Sequence, residues 1–197
     1  MTAVESINEL IETHPKFVKP VLPQLLSIFT EIMEAKGLLI NLRTTSMYGV
    51  LMLCMNHSAS VRKNDYFKSN MVPAYMRMLS EIHGTSVEEW AEELNDEIVS
   101  KNDISLSTEE HLGQLTLEMT NKFMLPLFIP HIQQYLTSEN IEHQHAGLIA
   151  MAILTEDCHE SFKSELKNIM SLILPLLNSN EPRIVHDILV AIGYMSE

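Results

Sequence analysis

Apolar residues along this chain recur three or four positions apart. Around Pro23 that spacing links Phe17, Val21, Leu25, Ile28 and Ile32; around Pro175 it links Ile169, Ile173, Leu176 and Leu177. A period of 3.6 residues predicts amphipathic α-helices. Alternation of β-branched residues is nearly absent, so no strand is expected. The two prolines sit in a short pattern that occurs four times: two apolar residues, Pro, any residue, then a mostly apolar pair. It reads Val21-Leu22-Pro23-Gln24-Leu25-Leu26, Met71-Val72-Pro73-Ala74-Tyr75-Met76, Phe128-Ile129-Pro130-His131-Ile132-Gln133 and Ile173-Leu174-Pro175-Leu176-Leu177-Asn178. A proline inside a helix costs about 3 kcal/mol and removes a backbone hydrogen bond. Four at one place in the pattern predict a shared bend or an early-turn position.

The prolines lie 50, 57 and 45 residues apart. Helix-pair repeats of the HEAT or armadillo type run about 40–47 residues, so the longer intervals require insertions. Each proline helix is expected to have a partner before it. These are a short helix at about 2–14, then 38–56, a shorter one at 107–122, and 141–157. In 38–56, Leu39, Leu42, Ser46, Gly49, Val50 and Leu53 lie on or near one stripe. In 141–157, His145, Ala146, Leu148, Ile149, Ala152 and Ile153 do the same. Arg43 precedes Pro73 by 30 residues, and His145 precedes Pro175 by 30. A fifth unit opens at Glu181-Pro182-Arg183 and runs through 184–195. Pro182 falls near a helix start, where its missing N–H is harmless. The expectation is one all-α array over 1–197, with about four helix pairs and a truncated fifth. No polar cap covers 184–195, so the chain reads as a piece of a longer array.

Charge then divides the chain. Of 197 residues, 13 are Lys or Arg and 26 are Asp or Glu, a formal net charge of -13. Residues 1–83 sum to +1 (8 basic, 7 acidic), 84–110 to -8 (1 basic, 9 acidic) and 111–197 to -6 (4 basic, 10 acidic). This balance excludes a nucleic-acid surface, which needs clustered cations to displace counterions. It also disfavours anionic membranes. No apolar run reaches the roughly 18 residues of a membrane span. The first 15 residues hold Glu5, Glu9 and Glu12 and no basic leader.

The acidic stretch reads as an insert at 84–106 between the second and third units. Its candidate protein-binding residues are Glu88, Glu89, Trp90, Glu92, Glu93, Asp96 and Glu97. The plain reading is a solvated loop. The functional reading is a docking strip for a basic partner, steered by charge and anchored by Trp90, the chain's one Trp.

Catalytic and metal chemistry find little footing. The chain has no G-x-G-x-x-G, phosphate-binding loop, nucleophile elbow or H-E-x-x-H. His143 and His145 fall on different helix faces. Cys158-His159 is one candidate ligand pair without a second. Cys54 and Cys158 are too few for a disulfide framework. The 13 Met lie along apolar stripes, as core fillers do. The sequence points to no enzyme, cofactor or metal.

Several stretches resemble the importin-β (karyopherin-β) nuclear transport receptors, and their importin-five-like branch in particular. The strongest runs His145-Ala146-Gly147-Leu148-Ile149-Ala150-Met151-Ala152-Ile153, then Cys158-His159. It continues through Ile173-Leu174-Pro175 and Glu181-Pro182-Arg183-Ile184 to Ala191-Ile192-Gly193-Tyr194-Met195. Others are Glu12-Thr13-His14-Pro15-Lys16-Phe17, leading to Lys19-Pro20, and Ser60-Val61-Arg62-Lys63. The family commonly has Trp and Arg where Ile141 and Gln144 stand here. The resemblance implies a HEAT-repeat α-solenoid, a right-handed superhelix of antiparallel helix pairs, that wraps basic cargo bearing nuclear localisation signals. It further implies control by the Ran GTPase, contact with Phe-Gly nucleoporins, and shuttling between cytoplasm and nucleus. Glu88 to Glu97 with Trp90 match the acidic stretch of the family's insert. The alternative reading is a HEAT-repeat scaffold unrelated to transport.

Overall fold

The computed structural model describes residues 2–82, 87, 103–155 and 159–196, and of 159–165 and 196 the backbone alone. In chain order its α-helices are α1 (Ala3–Thr13), α2 (Pro15–Val18), α3 (Leu22–Glu34), α4 (Ile40–Val61), α5 (Val72–Leu79), α6 (Ile104–Met119), α7 (Asn121–Leu136), α8 (Ile141–Thr155), α9 (His159–Ile173) and α10 (Pro182–Ser196). Among the described residues there is no strand.

The helices form two layers. In the first, α1 packs on α4, α4 on α6, α6 on α8, and α8 on α10. In the second, α3 packs on α5, α5 on α7, and α7 on α9. Each second-layer proline helix leans chiefly on the first-layer helix that follows it: α3 on α4, α5 on α6, α7 on α8. The sequence reading paired each with the helix before it. Successive units thus interlock, as a stacked array requires.

The expected apolar stripe of α4 is in fact burial on nearly every side. Met47 and Val50 through Cys54 are all buried, while Leu39, just before the helix, is 81% exposed. In α8 every residue from Ala146 to Ala152 is buried. A helix that is apolar all round belongs inside a structure, and α4 has α1, α3 and α6 around it. Nine methionines lie in this core: Met33, Met47, Met52, Met71, Met76, Met78, Met119, Met124 and Met151.

The four prolines are accommodated in different ways. Ahead of Pro23 the chain tightens into a 3₁₀ turn, Lys19–Val21. Ahead of Pro73 it widens into a π turn, Phe67–Met71. Pro175 lies in a 3₁₀ turn, Leu174–Asn178. Pro130 stays inside α7 together with Pro126. A proline offers no N–H to the carbonyl four residues back, so local winding shifts where neighbours permit. That shift moves the buried face near Pro23. Phe17, Val21 and Ile28, expected inward, are 74%, 45% and 44% exposed; Leu25 is buried as expected, and Val18, Leu22, Leu26, Phe29 and Met33 are buried with it.

Helix ends are set by ordinary chemistry. Thr2 and Glu5 cap α1 reciprocally: the Thr2 hydroxyl accepts from the Glu5 N–H, and the Glu5 carboxylate accepts from the Thr2 N–H. Between α6 and α7, Thr120 has φ 65°, the one positive φ among the described non-glycine residues. Arg62 braces that corner. Its Nη2 donates to the Met119 carbonyl at 3.1 Å, and its guanidinium lies 5.7 Å from the Phe123 ring centre. Phe123 in turn stacks on Phe67 at 6.4 Å. Near the end of α4, His57 leaves helical geometry (φ -138°, ψ 33°), and its Nε2 donates to the Pro15 carbonyl at 2.7 Å.

Gly49 marks the closest crossing. A methyl group there would meet Asn8 Oδ1 at 2.5 Å and the Phe29 ring at 2.6 Å, both in the tight α1–α3–α4 contact. Gly113 on α6 has nothing within 4 Å of a built Cβ. Gly49→Ala is therefore expected to destabilise the fold by about 1–3 kcal/mol. Gly113→Ala is expected to stabilise it by about 0.5–1 kcal/mol. Urea unfolding of the two variants beside the parent chain checks both signs.

Candidate protein-binding site

The candidate residues Glu88, Glu89, Trp90, Glu92, Glu93, Asp96 and Glu97 lie outside the described residues, as does Cys158. The structure does show the two places where the chain leaves the array toward them and returns. On the outgoing side, Glu81 follows α5 and is held by Arg43 of α4. Arg43 Nη1 and Nη2 each donate to one Glu81 carboxylate oxygen at 2.9 Å, and Arg43 Nε donates to the Met33 carbonyl near the end of α3. Lys36 Nζ stands 3.9 Å from the same carboxylate. Arg43 is only 3% exposed, so this bidentate pair is a buried one.

On the returning side, Asp103 caps α6 by accepting from the Ser105 and Leu106 N–H groups at 2.7 and 3.2 Å. The buried Ser105 hydroxyl then donates back to the Leu79 carbonyl at 2.8 Å. Leu79 and Ser105 are 26 residues apart, so this bond closes a neck. Ile104 to Leu106, counted with the insert in the sequence, make the first turn of α6. Of the nine acids in 84–110, Asp103, Glu109 and Glu110 belong to α6 and its cap, not to a free loop.

A second polar line crosses the second layer. Arg77 of α5 donates through Nε to Glu34 of α3. On α7, burial and the Arg77 charge pull His131 below its ordinary value, and burial lifts the Tyr135 phenol. Tyr135 stacks on His143 with ring centres 4.6 Å apart, and the Ser138 hydroxyl is 3.1 Å from His143 Nδ1. Glu34, Arg77, Tyr135 and His143 thus span four helices, α3, α5, α7 and α8.

The buried reactive groups are silent ones. Burial pushes the Cys54 thiol far above its ordinary range, with Glu118 adding to it. It does the same to the Tyr75 phenol, whose hydroxyl has no hydrogen-bond partner among the described residues. A thiol in that setting is a packing group, not a nucleophile. Among the described residues no three His, Cys, Asp or Glu are placed to hold a metal ion. Among them, too, no helix is long and apolar enough to cross a membrane. An open cavity of about 850 Å³ at the α1–α2 corner is lined by Leu10, Thr13, His14, Pro15, Lys16 and Phe17. Its wall is one of the stretches that carry the family resemblance, and it presents no acid–base pair.

The buried Arg43 and its counterpart His145 were not singled out as site residues. Their shared distance to the following proline was the available signal. Each sits near the start of a first-layer helix, and each reaches a carboxylate about 40 residues on: Arg43 to Glu81, His145 to Asp187.

No family model matches the chain. It is 22% identical over 195 residues to importin subunit beta-3 of Saccharomyces cerevisiae, spanning 98% of this chain and 18% of that protein. It is 20% identical over 207 residues to importin-4 of Homo sapiens, spanning 99% and 18%. Among solved structures it resembles Kap121p bound to Nup53p with a TM-score of 0.87. The Kap121p structures bound to RanGTP and to Pho4p each give 0.84. All three are 21% identical and cover 98% of this chain and 19% of Kap121p. The chain thus spans about a fifth of the length of the relatives it matches.

Arg43→Met should cost about 3 kcal/mol or more, because it leaves the Glu81 carboxylate and the Met33 carbonyl buried without their donor. Arg43→Lys should recover less than half of that loss, since one ammonium cannot serve three acceptors in a plane. Chemical denaturation of both variants measures this. A two-layered HEAT-repeat solenoid with interlocked units extends over essentially the whole chain, and the homologues that share it are members of the importin/karyopherin-β family.

Proposed function

We propose that this chain is a protein-binding segment of a nuclear transport receptor of the importin-β type. It binds basic cargo carrying nuclear localisation signals, is subject to Ran, meets Phe-Gly nucleoporins, and shuttles between cytoplasm and nucleus. It works by reversible binding and carries no catalytic site or cofactor. The observation that carries this reading is the fold likeness along the whole chain to a karyopherin whose structures include complexes with RanGTP, Nup53p and Pho4p. The net charge of -13 supports the basic character of the cargo. Acidic surfaces attract Lys- and Arg-rich segments over a Debye length and speed their docking.

Within this reading, Glu88, Glu89, Glu92, Glu93, Asp96 and Glu97 supply the charge, and Trp90 supplies the apolar anchor. The neck formed by Arg43, Glu81, Ser105 and Leu79 ties that insert to the array. The polar line from Glu34 through Arg77 and Tyr135 to His143 is a second surface on which an extended peptide finds both donors and acceptors.

The test is binding of a Lys/Arg-rich localisation peptide at low salt and at about 0.3 M salt, where the Debye length falls below the roughly 8 Å of physiological strength. The chain should bind at low salt and weaken by tenfold or more at the higher concentration. The triple variant E88K/E92K/D96K should remove most of the low-salt binding while leaving the melting temperature in place. A chain extended by its neighbouring repeats that ignores both the peptide and GTP-bound Ran would overturn the transport reading and leave a scaffold.

A further inference from the structure

Asp187 of α10 is buried, at 4% exposure. Among the described residues its carboxylate accepts two hydrogen bonds from side chains, and both donors are imidazoles. His145 of α8 donates through Nδ1 to Oδ2 at 2.7 Å. His186 donates through Nδ1 to Oδ1 at 3.3 Å. A buried carboxylate is expensive unless donors or positive charge meet it. Elsewhere in this chain Arg fills that place, as Arg43 does for Glu81. Among the described residues, the only positive charge hydrogen-bonded to the Asp187 carboxylate is one that imidazole carries when it is protonated.

The surroundings sharpen this dependence. α6 turns Glu109 toward the pair, with Asp103 at its cap and Glu110 beside it; His111, further along, is pulled down by burial. On α10, Arg183 donates to Glu181 at 2.8 Å. On α8, His143 is engaged with Ser138 and Tyr135, and Glu142 is exposed. α5 and α7 also pack on α8, but Arg77 of α5 is bound to Glu34, and neither it nor Lys122 or His131 of α7 is among the charges that act on His145. The charges that act on His145 are those of Asp187, Glu109 and Asp103, all negative when ionised. His145 Nε2 is buried with no hydrogen-bond partner among the described residues.

We infer that the α6–α8–α10 joint is a proton-operated coupling: His145 clamps the buried Asp187 while protonated, and the clamp slackens as the imidazole loses its proton. Burial by itself lowers His145, but the hydrogen bond and charge of Asp187, helped by Glu109 and Asp103, lift it above its ordinary 6.5. A raised imidazole contributes stability that is whole below 6.5 and is lost as pH rises through the higher folded value. Glu109 works in the same direction. Burial, with Asp187, Asp103 and Glu110 adding and His145 opposing, pushes it up to about 7. Its contribution is whole below its ordinary 4.5 and is lost as pH rises through about 7. On the alkaline side Glu109 is ionised beside a His145 imidazole that has gone neutral.

Hydrogen exchange across α10, corrected for the intrinsic rate, tests this on the full chain. Protection in α10 should fall roughly threefold or more between pH 6 and pH 8, as His145 and Glu109 lose their protons. Protection in α3 should stay level. Asp187→Asn should remove roughly half or more of the α10 difference, leaving what the burial of Glu109 supplies, whereas His14→Gln, an exposed histidine, should leave it intact. NMR titration of His145 in the unaltered chain should give a midpoint above 6.5. A midpoint at or below that value overturns the proposal. So does α10 protection equal at both pH values, a pH difference that Asp187→Asn leaves undiminished, or one that His14→Gln removes.

Discussion

Two first-layer helices, α4 and α8, have almost no outside along their middles. α4 touches α1, α3 and α6, and α8 touches α5, α6, α7 and α10. Their middles are consequently apolar around most of the circumference, from Val50 to Cys54 and from Ala146 to Ala152. At roughly 25 cal/mol per Å² of apolar surface, burial of this kind dominates what holds such a helix in place. It also means that no unit is complete alone: the surface that buries α4 comes from residues on both sides of it in the chain. Everything else in the molecule is arranged around that dependence, including where a polar group can be tolerated.

The polar contacts that join one unit to the next each bring a partner from another helix. Arg43 brings together the end of α3 and the residue after α5; Ser105 returns to Leu79; Arg62 spans α4 and the α6–α7 corner; His145 reaches α10. Each of these bonds crosses between units instead of lying within one. The apolar contacts supply attraction without direction, and the polar contacts fix how one unit is set against the next. Nine buried methionines fit the same division. Their unbranched side chains fill irregular gaps between helices whose crossings differ from unit to unit.

The period of 3.6 and the recurring proline make the helical class legible, because both depend on local spacing. The interior of α4 was less legible. A stripe at positions 46, 49, 50 and 53 was real, but the residues between it were buried too, and periodicity falls silent when a helix is covered all round. Near Pro23 the stripe was misplaced: Phe17 and Ile28 sat at the right spacing, yet the 3₁₀ turn at Lys19–Val21 rotated Val18 and Phe29 inward in their stead. Proline signals that something changes in the winding, not whether it tightens, as before Pro23, or widens, as before Pro73. The joints were legible only as a hint. Arg43 and His145 share a distance to the following proline, but their partners lie 38 and 42 residues on, and no local pattern names them. The acidic character of 84–110 was plain from charge alone, whereas the assignment of Asp103, Glu109 and Glu110 to α6 needed the helix boundary.

The bond from Ser105 to Leu79 bears on how such a chain can change over time. It holds the departing and returning strands of backbone together whatever lies between them. For a flexible loop, doubling the length adds only about 0.6 kcal/mol of closure entropy. The array therefore does not measure its own insertion. Segments of different length or composition can be exchanged at that gate without retuning a single helix contact, so recognition and architecture are free to evolve at separate rates.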